Sequence, residues 1–167
     1  MGILGPTPAP CGVPWNCPAW SRSTWSFSSR SFSPEEREVL QAHPGMRYYT
    51  ARRCAQQGMK AVAEEVVTQL QDLPALYVSI DIDGLDPAYA PGTGMPEAGG
   101  LTTRDLLDLV RAILGRLPVR AMDLVEVAQP LDNADITSFA ALKVIYEAWA
   151  AFQGAAGPDS PNSATTP

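Results

Sequence analysis

Leu76-Tyr77-Val78-Ser79-Ile80-Asp81-Ile82-Asp83-Gly84-Leu85-Asp86-Pro87 is the stretch on which the fold turns. Residues 76–80 are nearly continuous in apolar character and follow Pro74, the pattern of a strand covered on both faces in a parallel sheet. The run ends in two acids one residue apart. Period-two alternation would place Asp81 and Asp83 on one side of the strand. Carboxylates that close repel each other, and neither tolerates burial alone. A cation beside them relieves that cost, and an all-oxygen ligand set suits magnesium or manganese. In open α/β sheets ligands bind beyond the carboxyl ends of strands, where this pair falls. An Asp-rich turn whose side chains cap the following backbone accounts for the same residues without a ligand. Both readings stay open on these residues.

Working outward, Met59, Val62, Ala63, Val66, Val67 and Leu70 form an apolar helical stripe just before that strand. Residues 46–50 read as a short strand. Ser33-Pro34-Glu35-Glu36 carries a helix N-cap, a proline in the first turn and a capping-box glutamate, and this helix should end near His43-Pro44. Thr102 and Asp105 make a second capping box, opening a helix with Leu106, Leu107, Val110, Ile113 and Leu114 inward and Gly115 at its end. Residues 119–127 read as another strand. Asn133 or Asp135 should cap a last helix carrying Phe139, Leu142, Ile145, Tyr146, Trp149 and Phe152. Strands alternating with covering helices predict an α/β fold, three-layer α/β/α with a mainly parallel sheet, present in part.

The 167 residues allow one domain with tails. Residues 1–33 are expected to be unstructured or foreign to the fold: five prolines fall in 1–20, seven serines in 21–33, and no periodicity links them. The domain should occupy 34–153, followed by a disordered tail over 154–167. With 46% hydrophobic and 18% charged residues the composition is globular. A net charge of −6 without a Lys/Arg cluster excludes a nucleic-acid platform. No run approaches the roughly 20 apolar residues of a membrane span. Cys11, Cys17 and Cys54 show neither a disulfide framework nor a zinc site. These features, with no credible targeting signal, lead us to expect a cytoplasmic protein.

Two other chemistries compete for the acidic strand end. A calcium EF-hand loop counted from Asp81 would put Leu85 fifth, Asp86 sixth and Gly92 twelfth, so that reading fails. A haloacid-dehalogenase-type phosphatase also opens on Asp-x-Asp-Gly, although Leu85 stands where Thr or Val is usual and the following residues do not suit it. Those residues are Pro87-Ala88-Tyr89-Ala90-Pro91-Gly92-Thr93-Gly94-Met95-Pro96-Glu97-Ala98-Gly99-Gly100. Through Ser79, Asp81, Asp83, Pro87, Pro91, Gly92 and Gly100 the chain resembles the ureohydrolase family of arginases and agmatinases, its agmatinase-like branch best. Asp123-Leu124-Val125-Glu126-Val127 resembles that family's second acidic strand end, and Asp135-Ile136-Thr137-Ser138 the start of its last helix. Arg30-Ser31 and Glu35-Glu36-Arg37 resemble the lead-in, so the likeness covers about residues 30–152.

The resemblance implies a hydrolase of guanidino or amidine C–N bonds that releases urea and uses two manganese ions, Mn(2+), with agmatine-like small molecules as substrates and homo-oligomers as the assembled state. It implies that Asp81 bridges both ions, Asp83 ligates one, Glu126 pairs with the substrate guanidinium and Thr93 shapes the substrate loop. Asp86 should hold a turn, and Asp123 should be a strand-end acid. No catalytic acid or base is implied for this chain. The family's Asp-Ala-His-x-Asp strand end, a further metal-binding histidine and a His-Gly loop have no counterpart here, where His43 is the sole histidine. The expectation is therefore the C-terminal part of such an enzyme, with an incomplete metal set and doubtful turnover of its own. The rivals are a non-catalytic, partner-binding remnant and the phosphatase. One account of residues 1–33 is a wrong-frame translation of DNA that encodes the absent strands.

Overall fold

The structure is a computed structural model that describes residues 2–4, 24–31, 33–42 and 45–155, the backbone alone at 2–4, 24–29 and 155. His43 lies outside the described residues, as do Cys11, Cys17 and 156–167 of the tail expected over 154–167, whose first two residues, Gly154 and Ala155, instead end the last helix. Among the described residues five strands form one sheet: β1 (Gly2–Leu4), β2 (Thr24–Ser29), β3 (Met46–Thr50), β4 (Leu76–Asp81) and β5 (Val119–Val125), in the spatial order β3-β2-β1-β4-β5. β2 pairs parallel with β3, and β4 parallel with β5. β1 runs antiparallel between β2 and β4. The four longer strands thus share one direction, and their carboxyl ends line one edge of the sheet.

The expectation for residues 1–33 needs correction. Gly2–Leu4 and Thr24–Ser29 are strands inside the sheet. β2 alternates only through Trp25 and Phe27 against Ser26 and Ser28, too brief a pattern to stand out in a serine-rich run, and a strand of three residues is too short for any period to show. The remainder of that segment lies outside the described residues.

Five helices among the described residues complete the order: α1 (Pro34–Ala42), α2 (Ala51–Gln57), α3 (Met59–Leu70), α4 (Thr103–Arg116) and α5 (Ile136–Ala155). Local chemistry starts most of them. The Ser33 hydroxyl accepts from Glu36 N while the Glu36 carboxylate accepts from Ser33 N, which is the capping box read from the sequence. Thr102 and Asp105 form the second one. α4 runs to Arg116, one residue past Gly115. α2 had no periodic signature; the Thr50 side chain caps it, and Gly58 (φ 81) turns the chain directly into α3.

All six residues of the α3 stripe are buried, together with Leu76, Val78 and Ile80 of β4 and Leu106, Leu109, Val110 and Ile113 of α4. Alternation along β4 buries these three and leaves Tyr77, Ser79 and Asp81 half-covered on the other face. There the Tyr77 and Ser79 hydroxyls both donate to Asp123 of β5, Ser79 at 2.6 Å. α2 to α5 therefore form one helical layer on one face of the sheet, two of the three expected layers, while α1 buries no residue. No helix among the described residues is long and apolar enough to cross a membrane.

Candidate active site

Asp81 ends β4, and Asp83 sits in a 3-10 turn (Ile82–Gly84), not on the strand. The alternation argument for this pair therefore fails at its second member. Asp83 N–H donates to Asp81 Oδ1 at 3.1 Å, so the first carboxylate caps the turn that carries the second. This is the turn chemistry weighed against metal binding. Burial raises the Asp81 pKa; the Asp83 charge adds to that, and the Asp83 N–H bond opposes it.

Arg30, directly after β2, reaches this turn from a strand end on the far side of β1. It donates to the Asp83 carbonyl at 2.6 Å and holds a second nitrogen 3.7 Å from the carboxylate. Its Nε lies 3.4 Å from Glu97, and the Ser31 hydroxyl donates to Glu97 at 2.9 Å. Arg30 and Ser31 thus latch the 92–100 loop to the Asp81–Asp83 turn. The pairings span more than 50 residues in sequence, and the only signal in the sequence was Arg30-Ser31 within the recognised lead-in.

The same loop is shaped by close backbone approach. A Cβ on Gly100 would stand 2.5 Å from Leu85 C and Asp86 N, and one on Gly92 would stand 2.5 Å from Asp132 Cβ. Neither position admits a side chain. The Asp86 carboxylate closes the loop, accepting from Ala88 N at 2.9 Å and Gly99 N at 2.7 Å. Between the glycines, Thr93 is 2% exposed and its hydroxyl has no hydrogen-bond partner among the described residues. An unpaired buried hydroxyl costs about 1–3 kcal/mol, so Thr93 is an expensive side chain to hold at this point of the loop.

Glu126 follows β5 directly, and the ladder sets Val125 opposite Asp81. It is exposed and holds φ at 65°, a left-handed conformation that costs a side-chain-bearing residue about 1–2 kcal/mol. A Cβ on Gly94 would lie 3.6 Å from Glu126 Oε2, which places this carboxylate over the loop that carries Thr93. The structure thus brings Glu126 to Gly94, next to Thr93 in the loop, and sets Asp81 and Asp83 at the adjoining strand end.

Asp123 is engaged on the sheet face, as described above. The cap of α5 is a correction: Asp132, not Asn133 or Asp135, accepts from Thr137 N and Ser138 N, each at 3.0 Å. Ala134 and Asp135 both take left-handed φ values, 53° and 58°, and that turn carries Asp132 back over the helix start. Gly92 N–H donates to Thr137 Oγ1 at 2.7 Å, tying the loop to the same point.

As a metal centre the arrangement is partial. Among the described residues no three His, Cys, Asp or Glu groups converge to hold an ion. Asp81 and Asp83 fall short of the several ligands that each of two manganese ions needs. The residues present do not fit a complete dinuclear site.

The Arginase family model matches residues 12–150. The chain belongs to the arginase family. It corresponds to the C-terminal part of the family's chain, and the match begins well before Arg30, inside the segment that reads as foreign. Guanidinobutyrase of Pseudomonas aeruginosa is 41% identical over 103 residues, 62% of this chain and 32% of that protein. Agmatinase of Bacillus anthracis is 51% identical over 85 residues, 50% of this chain and 29% of that one. The chain therefore spans about a third of the length of the curated relatives it matches. A hypothetical agmatinase from Burkholderia thailandensis superposes with TM-score 0.69 at 34% identity, covering 80% of this chain and 40% of that one. Formimidoylglutamase of Bacillus subtilis superposes with TM-score 0.73 at 28% identity over 82% and 42%. The arginase-like α/β fold is thereby established, and the phosphatase reading is not favoured.

Proposed function

We propose that this chain carries the substrate-gripping part of a hydrolase acting on guanidino C–N bonds, of the agmatinase-like kind that releases urea. The observation that carries this reading is Glu126. A carboxylate held in a strained backbone conformation, exposed at a strand end and facing the loop of the unpartnered Thr93 hydroxyl, is built to meet a ligand. A planar guanidinium offers two parallel N–H donors to such a carboxylate. The named relatives, a guanidinobutyrase and an agmatinase, point to the same substrate class. Thr93 adds a hydroxyl beside that grip, and the Arg30–Glu97 latch fixes the loop geometry. Asp81 and Asp83 are this chain's share of the family's manganese ligands. They do not make a full set, so no hydrolytic step is assigned to this chain's residues alone.

A chimera tests this directly: residues 45–155 replace the matched segment of the Pseudomonas guanidinobutyrase. The folded chimera should release urea from agmatine or 4-guanidinobutyrate with manganese. Asp81→Ala should abolish both metal binding and turnover, and Glu126→Gln should cut turnover while leaving the metal in place. A folded chimera that binds no manganese, or one whose turnover ignores Glu126→Gln, refutes the assignment.

A further inference from the structure

β2 and β4 part at the carboxyl edge of the sheet. β1 pairs with them only through Gly2–Leu4, opposite Ser26 on one side and Ser79 on the other. Residues 27–29 of β2 and 80–81 of β4 run on beyond it, with a crevice of two strand spacings, roughly 9–10 Å, between them. From β2 the chain leads outward to β3, and from β4 it leads outward the other way to β5. Open α/β sheets take their ligands at such a point, where the chain departs in opposite directions. Here the chain's own Arg30 spans it.

The Arg30 side chain is only 11% exposed. Acceptors meet its guanidinium on more than one side. Nη1 donates to the Asp83 carbonyl at 2.6 Å, Nη2 stands 3.7 Å from the Asp83 carboxylate, and Nε stands 3.4 Å from Glu97. A planar fork meets such a set, whereas the compact ammonium of a lysine does not. The Ser31 hydroxyl holds Glu97 independently, at 2.9 and 3.1 Å, so the carboxylate keeps its place when Arg30 is truncated. Asp83 and Glu97 retain 24% and 46% of their side-chain surface in solvent, which leaves the socket within reach of a small cation. The 92–100 loop thus meets one carboxylate, Glu126, beside Gly94 and brings its own Glu97 to a guanidinium three residues later.

We infer that Arg30 is a specificity and positioning residue, a built-in guanidinium that closes the Asp83–Glu97 socket to guanidino ligands and pins the loop, so that Glu126 is the carboxylate left to receive one. The socket is a second place at this edge with the chemistry of a guanidinium site, and the chain keeps it filled from within. The role of Glu126 rests on the hydrolase reading; the socket does not.

The test uses the full chain and reads amide hydrogen exchange on peptides covering residues 92–101, with Arg30→Ala, Arg30→Lys and Glu97→Gln beside the parent. Arg30→Ala should speed exchange there about tenfold, while peptides of α3 and α4 stay as in the parent. Guanidinium chloride at about 50 mM, far below the molar range that unfolds proteins, should restore the parent rate saturably, and sodium chloride at the same concentration should not. This rescue should survive Glu126→Gln and disappear when Glu97→Gln is added to Arg30→Ala. Arg30→Lys should stay fast, because charge without the fork does not fill the socket. Unchanged exchange in Arg30→Ala overturns the proposal, as does parent-like exchange in Arg30→Lys or a guanidinium effect that needs Glu126. Should Arg30→Ala fail to fold, Glu97→Gln alone decides: exchange at least threefold faster upholds the proposal, and exchange as in the parent overturns it. The expected exchange pattern without urea release from the chimera upholds the role of Arg30 and counts only against the hydrolase reading.

Discussion

Glu126 holds a conformation that its side chain makes costly, at a place where glycine would sit without strain. That cost has no structural return among its contacts, since the residue is exposed and follows the last hydrogen-bonded pair of β5. Strain at an exposed carboxylate fits the proposed grip on a guanidinium, which needs this side chain at this place. Glu126→Gly should therefore stabilise the chain by about 0.5–1 kcal/mol in a urea melt, the left-handed cost removed less the added backbone entropy. In the chimera the same change should abolish turnover. A variant less stable than the parent would show that Glu126 makes contacts that hold the fold. At this scale the acids were legible because a carboxylate run at a strand end is a local pattern. Arg30 and Glu97 were not legible as a latch, since their link to Asp83 exists only after two strand ends meet.

Elements were legible where their signal is local. The capping boxes at Ser33 and Thr102 and the Met59–Leu70 stripe need only neighbours within a turn or two, and they read correctly from sequence. β2 alternates only through Trp25 and Phe27 within a serine-rich run, and α2 is a seven-residue helix without periodicity, so neither gives a signal that stands out. The α5 cap was misread for a related reason: Asp132 reaches Thr137 and Ser138 across two left-handed residues that no pattern announces. Burial pushes the Asp132 pKa up, but hydrogen bonds from Ser138 and Thr137 outweigh it and bring the group down to about 2. A depressed carboxylate contributes stability that is full above its unfolded pKa and is lost as pH falls through the folded one. Helix content by circular dichroism should therefore hold to about pH 4 and decline toward pH 2. Asp132→Asn should show lower helix content at pH 7 and a weaker decline on acidification. An unchanged acid profile would remove Asp132 from the cap.

At the scale of the molecule, one helical layer covers one sheet face, and the core and the open end behave as separate surfaces. Ile80 is wholly buried between β4 and the helices, whereas Trp149 is 66% exposed. Truncating a buried isoleucine removes its transfer energy and leaves a cavity, so Ile80→Ala should cost about 2–5 kcal/mol. Trp149 gives up little on folding, and Trp149→Glu should change stability by no more than about 0.5 kcal/mol, the range of ordinary surface substitutions. Its effect should fall on association instead. A contiguous apolar face drives self-contact at high concentration, so sedimentation velocity of the parent should show concentration-dependent species that Trp149→Glu diminishes. Large destabilisation by Trp149→Glu would mean that α5 buries this side chain within the same chain, and the row of helices would not end where the structure ends it. Equal stability with reduced association would mean that the fold is complete in its core and open at its α5–β5 end.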